Sequence, residues 1–159
     1  MTDEIGGSVT DIGIIVGIVA FLEVVFILLW ARIQLDLAPF KALALGTVVY
    51  IGYMVLLGFS TATWHIYALS LISAFGAAAL ITIPISYLQE LIADRPGLGS
   101  SLIAVNIFLS GGLCAGLFAL GTRISNYSGT ALLGGVAGSA GLVLLLVLDG
   151  RHKSDDAVA

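Results

Sequence analysis

The residue best suited to chemistry in this chain is Glu23, a lone carboxylate in an apolar stretch over residues 12–31. In a bilayer, a charged carboxylate at that depth is costly unless it is protonated, paired or turned toward a wet cavity. Such a group can load a proton, hydrogen-bond a solute and bias a protein between two conformations. The alternative is a protonated Glu23 that only hydrogen-bonds a neighbouring Ser or Tyr. We predict the functional role.

Polar side chains also recur at four-residue steps in a later apolar segment, where Asn106, Ser110 and Cys114 share one helical face. This face can line a solute path, although an interhelical hydrogen bond worth about 1 kcal/mol explains Asn106 equally well. Tyr50 and Tyr53 raise the same question, because tyrosine can bind a solute or fill space between helices. Packing is the favoured interpretation for the pair, and Tyr50 is retained as a candidate for solute binding.

A polar cluster ends another apolar segment, where Gln89 and Glu90 precede Asp94 and Arg95. In one interpretation these residues form a gate of charge pairs between helix ends. In the other they are solvated loop residues, which is favoured for Asp94. Pro84 lies one to two turns before the predicted helix end and is expected to kink the helix and free a backbone carbonyl.

Residue sets for enzymatic chemistry are missing from the sequence. It contains no Ser-His-Asp set, no metal-ligand cluster and no phosphate-binding loop, so we predict no enzymatic activity, no cofactor and no metal. Cys114 is the only cysteine, which excludes a disulfide framework. No basic run indicates a nucleic-acid partner.

The composition indicates the surroundings of these residues. Of the 159 residues, 59% are hydrophobic and 10% are charged, and the mean hydropathy is +1.12. Soluble domains have roughly 25% charged residues. A water-exposed fold of this length could not bury so much apolar surface, so we predict an integral membrane protein whose partner is the lipid bilayer.

Five apolar segments are long enough to cross a bilayer core, which needs about 20 residues. Each is predicted to be a helix, because an isolated spanning segment must satisfy its own backbone hydrogen bonds. The predicted fold is therefore an all-α membrane protein, a bundle of five transmembrane helices over residues 12–148. The segments cover residues 12–31, 43–59, 66–88, 102–120 and 131–148.

Lysine and arginine positions predict the orientation. Only Arg123 lies on one side of the predicted membrane, and the other five basic residues lie on the opposite side, which is therefore cytoplasmic. The acidic tail of residues 1–11 is then outside, and the tail of residues 149–159 is in the cytoplasm. The five are Arg32, Lys41, Arg95, Arg151 and Lys153.

Small residues and tryptophans predict how the helices meet their surroundings. Pairs of glycines four residues apart permit close helix packing. Trp30 and Trp64 lie near predicted membrane boundaries, where aromatic belts form, although tryptophan also occurs inside bundles. The glycine pairs are Gly13 and Gly17, Gly112 and Gly116, and Gly134 and Gly138; the third segment adds Ser70, Ser73, Gly76 and Ala77.

Two stretches go beyond general membrane character. Residues 17–24 read GIVAFLEV and contain Glu23, and residues 84–91 read PISYLQEL, followed by DRPGLGSSL at 94–102 and by Asn106. Together they resemble the C-terminal half of the major facilitator superfamily, and more narrowly its sugar efflux transporters. In that register the five segments match helices eight to twelve of twelve.

The resemblance implies a function and a location. It implies part of a secondary active transporter in a bacterial inner membrane, exporting sugars or other small solutes, with proton coupling through an antiport mechanism. Because helices one to seven have no counterpart here, we expect the chain to be incomplete on its own, and a separately encoded N-terminal half is a candidate partner. The alternatives are a drug or metabolite exporter of the same superfamily and a truncated or partner-dependent membrane protein that does not transport.

Overall fold

The computed structural model describes the backbone of residues 7–91 and 96–156 and the side chains of residues 7–89 and 99–147. Five helices account for almost all of this part of the chain. Each is long and apolar enough to cross a membrane, as the sequence predicts. The helices are α1 (Val9–Ile33), α2 (Pro39–Gly58), α3 (Thr63–Leu91), α4 (Pro96–Ile124) and α5 (Tyr127–Asp156).

The helices extend beyond the predicted apolar segments because polar residues and prolines form their first turns. Ser8 caps α1, and the Asp11 carboxylate accepts a hydrogen bond from the Ser8 backbone N–H, so Asp11 lies in the first turn of α1. Pro39 begins α2 and Pro96 begins α4. A proline suits a first turn because its missing N–H would have no helical partner there.

The bundle is arranged around α2. This helix packs against α3 on one side and α5 on the other, α1 packs on the outer side of α3, and α4 packs on α5. Sequential helices are therefore neighbours for α2–α3 and α4–α5. The short connections in the sequence predict the same for α1 and α2, but α1 packs on α3 instead. Contact between α3 and α4 is slight, and this leaves a groove between them.

The most buried part of the core lies where α1, α2 and α3 meet. Trp30 of α1 is fully buried beside Ala42 and Ile83. Its indole Nε1 donates a hydrogen bond of 2.9 Å to the backbone carbonyl of Phe75 in α3. Trp30 is thus a core residue and not part of an aromatic belt, whereas Trp64 is exposed.

Small residues bring α2 and α3 close together. An added Cβ on Gly46 would collide with Ala79, and one on Gly76 would lie 3.1 Å from the Tyr50 backbone nitrogen. Ser70 and Ser73, both on α3, are also buried.

Only one of the three predicted glycine pairs lies at a helix interface. Gly134 and Gly138 of α5 contact Met54 and Ile51 of α2. The other two pairs have open space beside them in the described part of the chain, and they lie on α1 and α4: Gly13, Gly17, Gly112 and Gly116.

Large apolar side chains cover the outer surface of the bundle. Leu28 on α1, Phe108 and Leu113 on α4 and Val136 on α5 are all exposed. In water such a surface would be strongly unfavourable, and in a bilayer it contacts lipid chains. The chain is therefore an all-α membrane protein that crosses the bilayer several times.

Candidate functional site

Glu23 lies half-buried in the middle of α1. Tyr50 of α2 lies within electrostatic range of Glu23 and also of Cys114 of α4. Three different helices thus carry a polar or titratable group in one region at mid-depth. The sequence singled out all three residues.

The two tyrosines of α2 take the packing role that the sequence favours. The rings of Tyr50 and Tyr53 lie at an angle of 49° with centroids 5.5 Å apart, and Tyr50 packs against Gly76. Their hydroxyl groups nevertheless have polar neighbours, because Tyr53 shares a hydrogen bond with Ser73 and Tyr50 interacts with Glu23. Packing therefore holds the rings in place and positions the hydroxyl groups.

Asn106 and Ser110 line a cavity of ≈ 1020 Å³, which we call the apolar groove. It lies between α3 and α4 and is closed by the first turn of α2. Cys114, one turn beyond Ser110, continues the same face of α4 toward Tyr50. The rest of the lining is mainly apolar and includes Leu43, Leu80, Ile83, Leu102, Ile103 and Leu145.

Pro84 lies inside α3 and lines the same groove. It has no N–H to donate, so the carbonyl of Leu80, four residues earlier, lacks its usual helical donor. Leu80 is also a groove residue. The carbonyl that Pro84 leaves without this donor thus belongs to a groove residue, and the predicted kink of α3 stays a prediction.

The proposed gate falls largely outside the described side chains. Gln89 is exposed near the end of α3. The side chain of Glu90 and the whole of Arg95 lie outside the described residues, so the predicted charge pairs stay a prediction.

A second, smaller cavity lies at the end of α1, and we call it the amide pocket. It has a volume of ≈ 260 Å³, and Gln34, Pro39, Ser86 and Tyr87 are among its lining residues. Within the described part of the chain, Gln34 Nε2 is buried without a hydrogen-bond partner. Thr82 Oγ1 is likewise buried without a hydrogen-bond partner among the described residues. Thr82 lies one turn before Ser86 on the same face of α3.

Sequence reasoning missed the amide pocket. Gln34 follows α1 in what reads as an ordinary polar connection, and no spacing links it to Ser86. It also missed the hydrogen bond of 2.7 Å from the Tyr67 hydroxyl to Asp11, which joins the other ends of α1 and α3. Both features depend on the packing of α1 against α3, which the sequence did not predict.

The described residues include no group of three His, Cys, Asp or Glu side chains that could hold a metal ion. Comparison of the chain with models of protein families, with curated proteins and with solved structures finds no match. The resemblance to the major facilitator superfamily therefore remains a prediction from the residues quoted above.

Proposed function

We propose that this chain forms part of a secondary active transporter that exports a sugar or another small solute, with Glu23 as the proton-binding group. The observation that carries the proposal is the half-buried carboxyl at mid-depth in α1, within electrostatic range of Tyr50 on α2. A carboxyl that takes a proton from one side of a membrane and releases it to the other couples a proton gradient to a conformational change. Tyr50 can relay the charge state of Glu23 to α2, the central helix.

In this proposal Asn106, Ser110 and Cys114 form the polar side of the solute path along α4. A second wall, supplied by a separately encoded half, covers α1 and α4. Support comes from the burial pattern, because no residue in the most apolar 18-residue window of either helix is buried within the bundle. Substrate sites in transporters built from repeats lie near the midplane, between the repeats.

The proposed setting is a bacterial inner membrane, with the N-terminus outside and the C-terminus in the cytoplasm. Five of the six basic residues support this orientation. Gln89, Glu90, Arg95 and Pro84 then lie near the cytoplasmic end of the path, where they can act as a gate.

A second candidate function, export of apolar drugs or metabolites, is favoured by the apolar groove itself. Asn106 and Ser110 are among its few polar side chains. A sugar placed between aliphatic residues would leave hydroxyl groups unpaired, at a cost of about 1–3 kcal/mol each. An apolar solute would lose nothing there.

Glu23→Gln tests the proton-binding role, because the amide keeps the size and hydrogen-bonding capacity but cannot titrate. The assay uses membrane vesicles from cells that produce the chain together with a second polypeptide that supplies the remaining helices required by this proposal. We expect export driven by a pH gradient to fall at least about tenfold, the effect of about 1.4 kcal/mol, while passive exchange of solute survives.

Glu23→Leu serves as the comparison for a purely structural role, and a labelled sugar and an amphiphilic fluorescent solute are measured side by side. Normal gradient-driven export by the Gln variant, with poor expression of the Leu variant, would show that Glu23 is only structural. Transport of the amphiphilic solute alone would favour the second candidate. Absence of any solute movement with the native pair would refute the transport proposal.

A further inference from the structure

The apolar groove and the amide pocket lie next to each other and share two lining residues. Pro39 at the start of α2 and Tyr87 near the end of α3 line both cavities. One cavity is a long apolar channel between helices, and the other is a small polar chamber at the end of α1. An amphiphilic molecule matches this combination of cavities, because its apolar chain fits the groove and its polar head group fits the amide pocket.

The length and depth of the groove match one leaflet of a bilayer. Its lining extends from Leu88 to Leu80 along α3 and from Leu102 to Ser110 along α4. Eight residues of helix rise about 12 Å. The hydrocarbon core of one leaflet is about 15 Å thick, half of a typical bilayer core. The groove therefore begins at a membrane boundary and ends near the midplane, as an acyl chain does.

The amide pocket offers hydrogen-bond donors at the boundary. Among the described residues, the Gln34 Nε2 group has no acceptor although it is buried, and burying such a donor without a partner is unfavourable. The hydroxyl groups of Ser86 and Tyr87 belong to residues that line the same pocket. An oxygen acceptor placed there would be bound by neutral donors.

Two basic residues lie next to the pocket in the sequence. Arg32 lies two residues before Gln34 and Lys41 two residues after Pro39, and the carboxylates nearest in sequence to the lining residues are Asp36 and Glu90. Basic residues beside a membrane boundary attract anionic lipid head groups. Phosphate and ester oxygens of a lipid provide the acceptors that the pocket lacks.

We propose that this site binds one glycerophospholipid from the leaflet at the α1–α2 end of the bundle. The phosphate and glycerol ester region occupies the amide pocket and bonds to Gln34, and an acyl chain lies in the apolar groove as far as Ser110. The lipid fills the gap between α3 and α4, whose direct contact is slight. The proposal does not depend on transport, because the site is built from packing and donor geometry alone.

The test uses the purified full-length chain, stripped of lipid in a mild detergent, and native mass spectrometry during titration with dioleoylphosphatidylglycerol. We expect one saturably bound lipid per chain. Gln34→Leu should weaken this binding about tenfold, the effect of one buried hydrogen bond. Ser110→Phe, which fills the deep end of the groove, should weaken it further.

Matched variants control for general effects of each substitution. Gln89→Leu makes the same chemical change on an exposed side chain of α3 that lines neither cavity, and Val136→Phe adds bulk to an exposed position of α5. Both should bind lipid as the native chain does. Ser86→Ala provides a second, smaller change within the amide pocket and should also weaken binding.

Three results would overturn the proposal. Equal lipid binding by the native chain and by all the pocket and groove variants would mean that lipids only coat the surface. A dimer that Ser110→Phe dissociates would mean that a second copy fills the groove. Glycerol 3-phosphate bound as tightly as the lipid would mean that the pocket takes a soluble phosphate ester.

Discussion

Trp30 fixes the position of α1 on α3 through both its ring and its N–H group. The indole packs on the Phe75 ring at a centroid distance of 5.0 Å, while Nε1 donates to the Phe75 carbonyl at 2.9 Å. In a membrane the burial of apolar surface gives little driving force for helix association, so packing and interhelical hydrogen bonds matter more. Trp30 supplies both, and it thereby helps to hold α1, which carries Glu23.

Trp30→Phe should therefore destabilise the bundle by about 1–3 kcal/mol, because it removes the hydrogen bond and leaves a cavity beside the α1–α3 interface. Unfolding of the purified protein in mixed micelles with increasing denaturing detergent measures the change. Trp64→Phe is the matched control, since Trp64 is exposed, and should change stability by less than about 0.5 kcal/mol. Equal losses for the two variants would contradict the anchoring role of Trp30.

Residue spacing predicted part of the site and not the rest. The four-residue steps from Asn106 to Cys114 indicated one face of one helix, and that face does line the groove and continue toward Tyr50. The sequence could not predict Gln34, because its environment is created by the end of α3 docking beside it. Local periodicity carries information within a helix, whereas a pocket between helices depends on tertiary packing.

At the scale of elements, hydropathy predicted five helices but not their pairing. Each span is long and apolar enough to be recognised alone, and short connections suggested that neighbours in sequence would be neighbours in space. The structure instead places α1 on α3, where Phe26 and Trp30 meet Phe75. Those aromatic contacts form between distant segments, so no pattern within either segment shows them.

The glycine pairs also show what the sequence could not predict, because pairs with the same four-residue spacing lie both at a helix interface and away from one. Gly46 and Gly76 permit the close approach of α2 and α3, although neither belongs to a predicted glycine pair. Gly112 and Gly116 form such a pair and have open space beside them within the described residues. Only the packing partner decides whether a small residue is needed.

Gly46→Ala should destabilise the bundle by about 1–3 kcal/mol, because the added methyl group would collide with Ala79 and push α2 from α3. Gly112→Ala adds the same methyl group in open space and should cause no loss, since alanine favours helix more than glycine does. Denaturing-detergent unfolding of both variants provides the measurement. A stable Gly46→Ala protein would show that α2 and α3 separate at little cost.

At the scale of the whole molecule, the polar candidates lie on the helices that the bundle covers least. Glu23 belongs to α1 and the Asn106 face to α4, and the most apolar window of each helix contains no buried residue. The central helices α2 and α3 carry most of the buried core. This division resembles a scaffold with two outer helices available to a second wall or to lipid, and the transport and lipid-binding proposals share the Asn106 and Ser110 face of α4.

The basic residues predict the orientation of the whole chain, and with it the leaflet that the α1–α2 end faces. Arg32 and Lys41 flank that end, and Arg151 and Lys153 lie in the last turns of α5, whereas Arg123 lies near the end of α4. Lysine and arginine are retained in the cytoplasm during insertion.

A fluorescent reporter fused after Lys153, which fluoresces only in the cytoplasm, should therefore be bright, and a periplasmic enzyme reporter at the same point should be inactive. Changing Arg32 and Lys41 together to Gln should weaken this preference, while Arg123→Gln should strengthen it. A dark cytoplasmic reporter with an active periplasmic one in the native chain would reverse the orientation and would move the amide pocket to the outer leaflet.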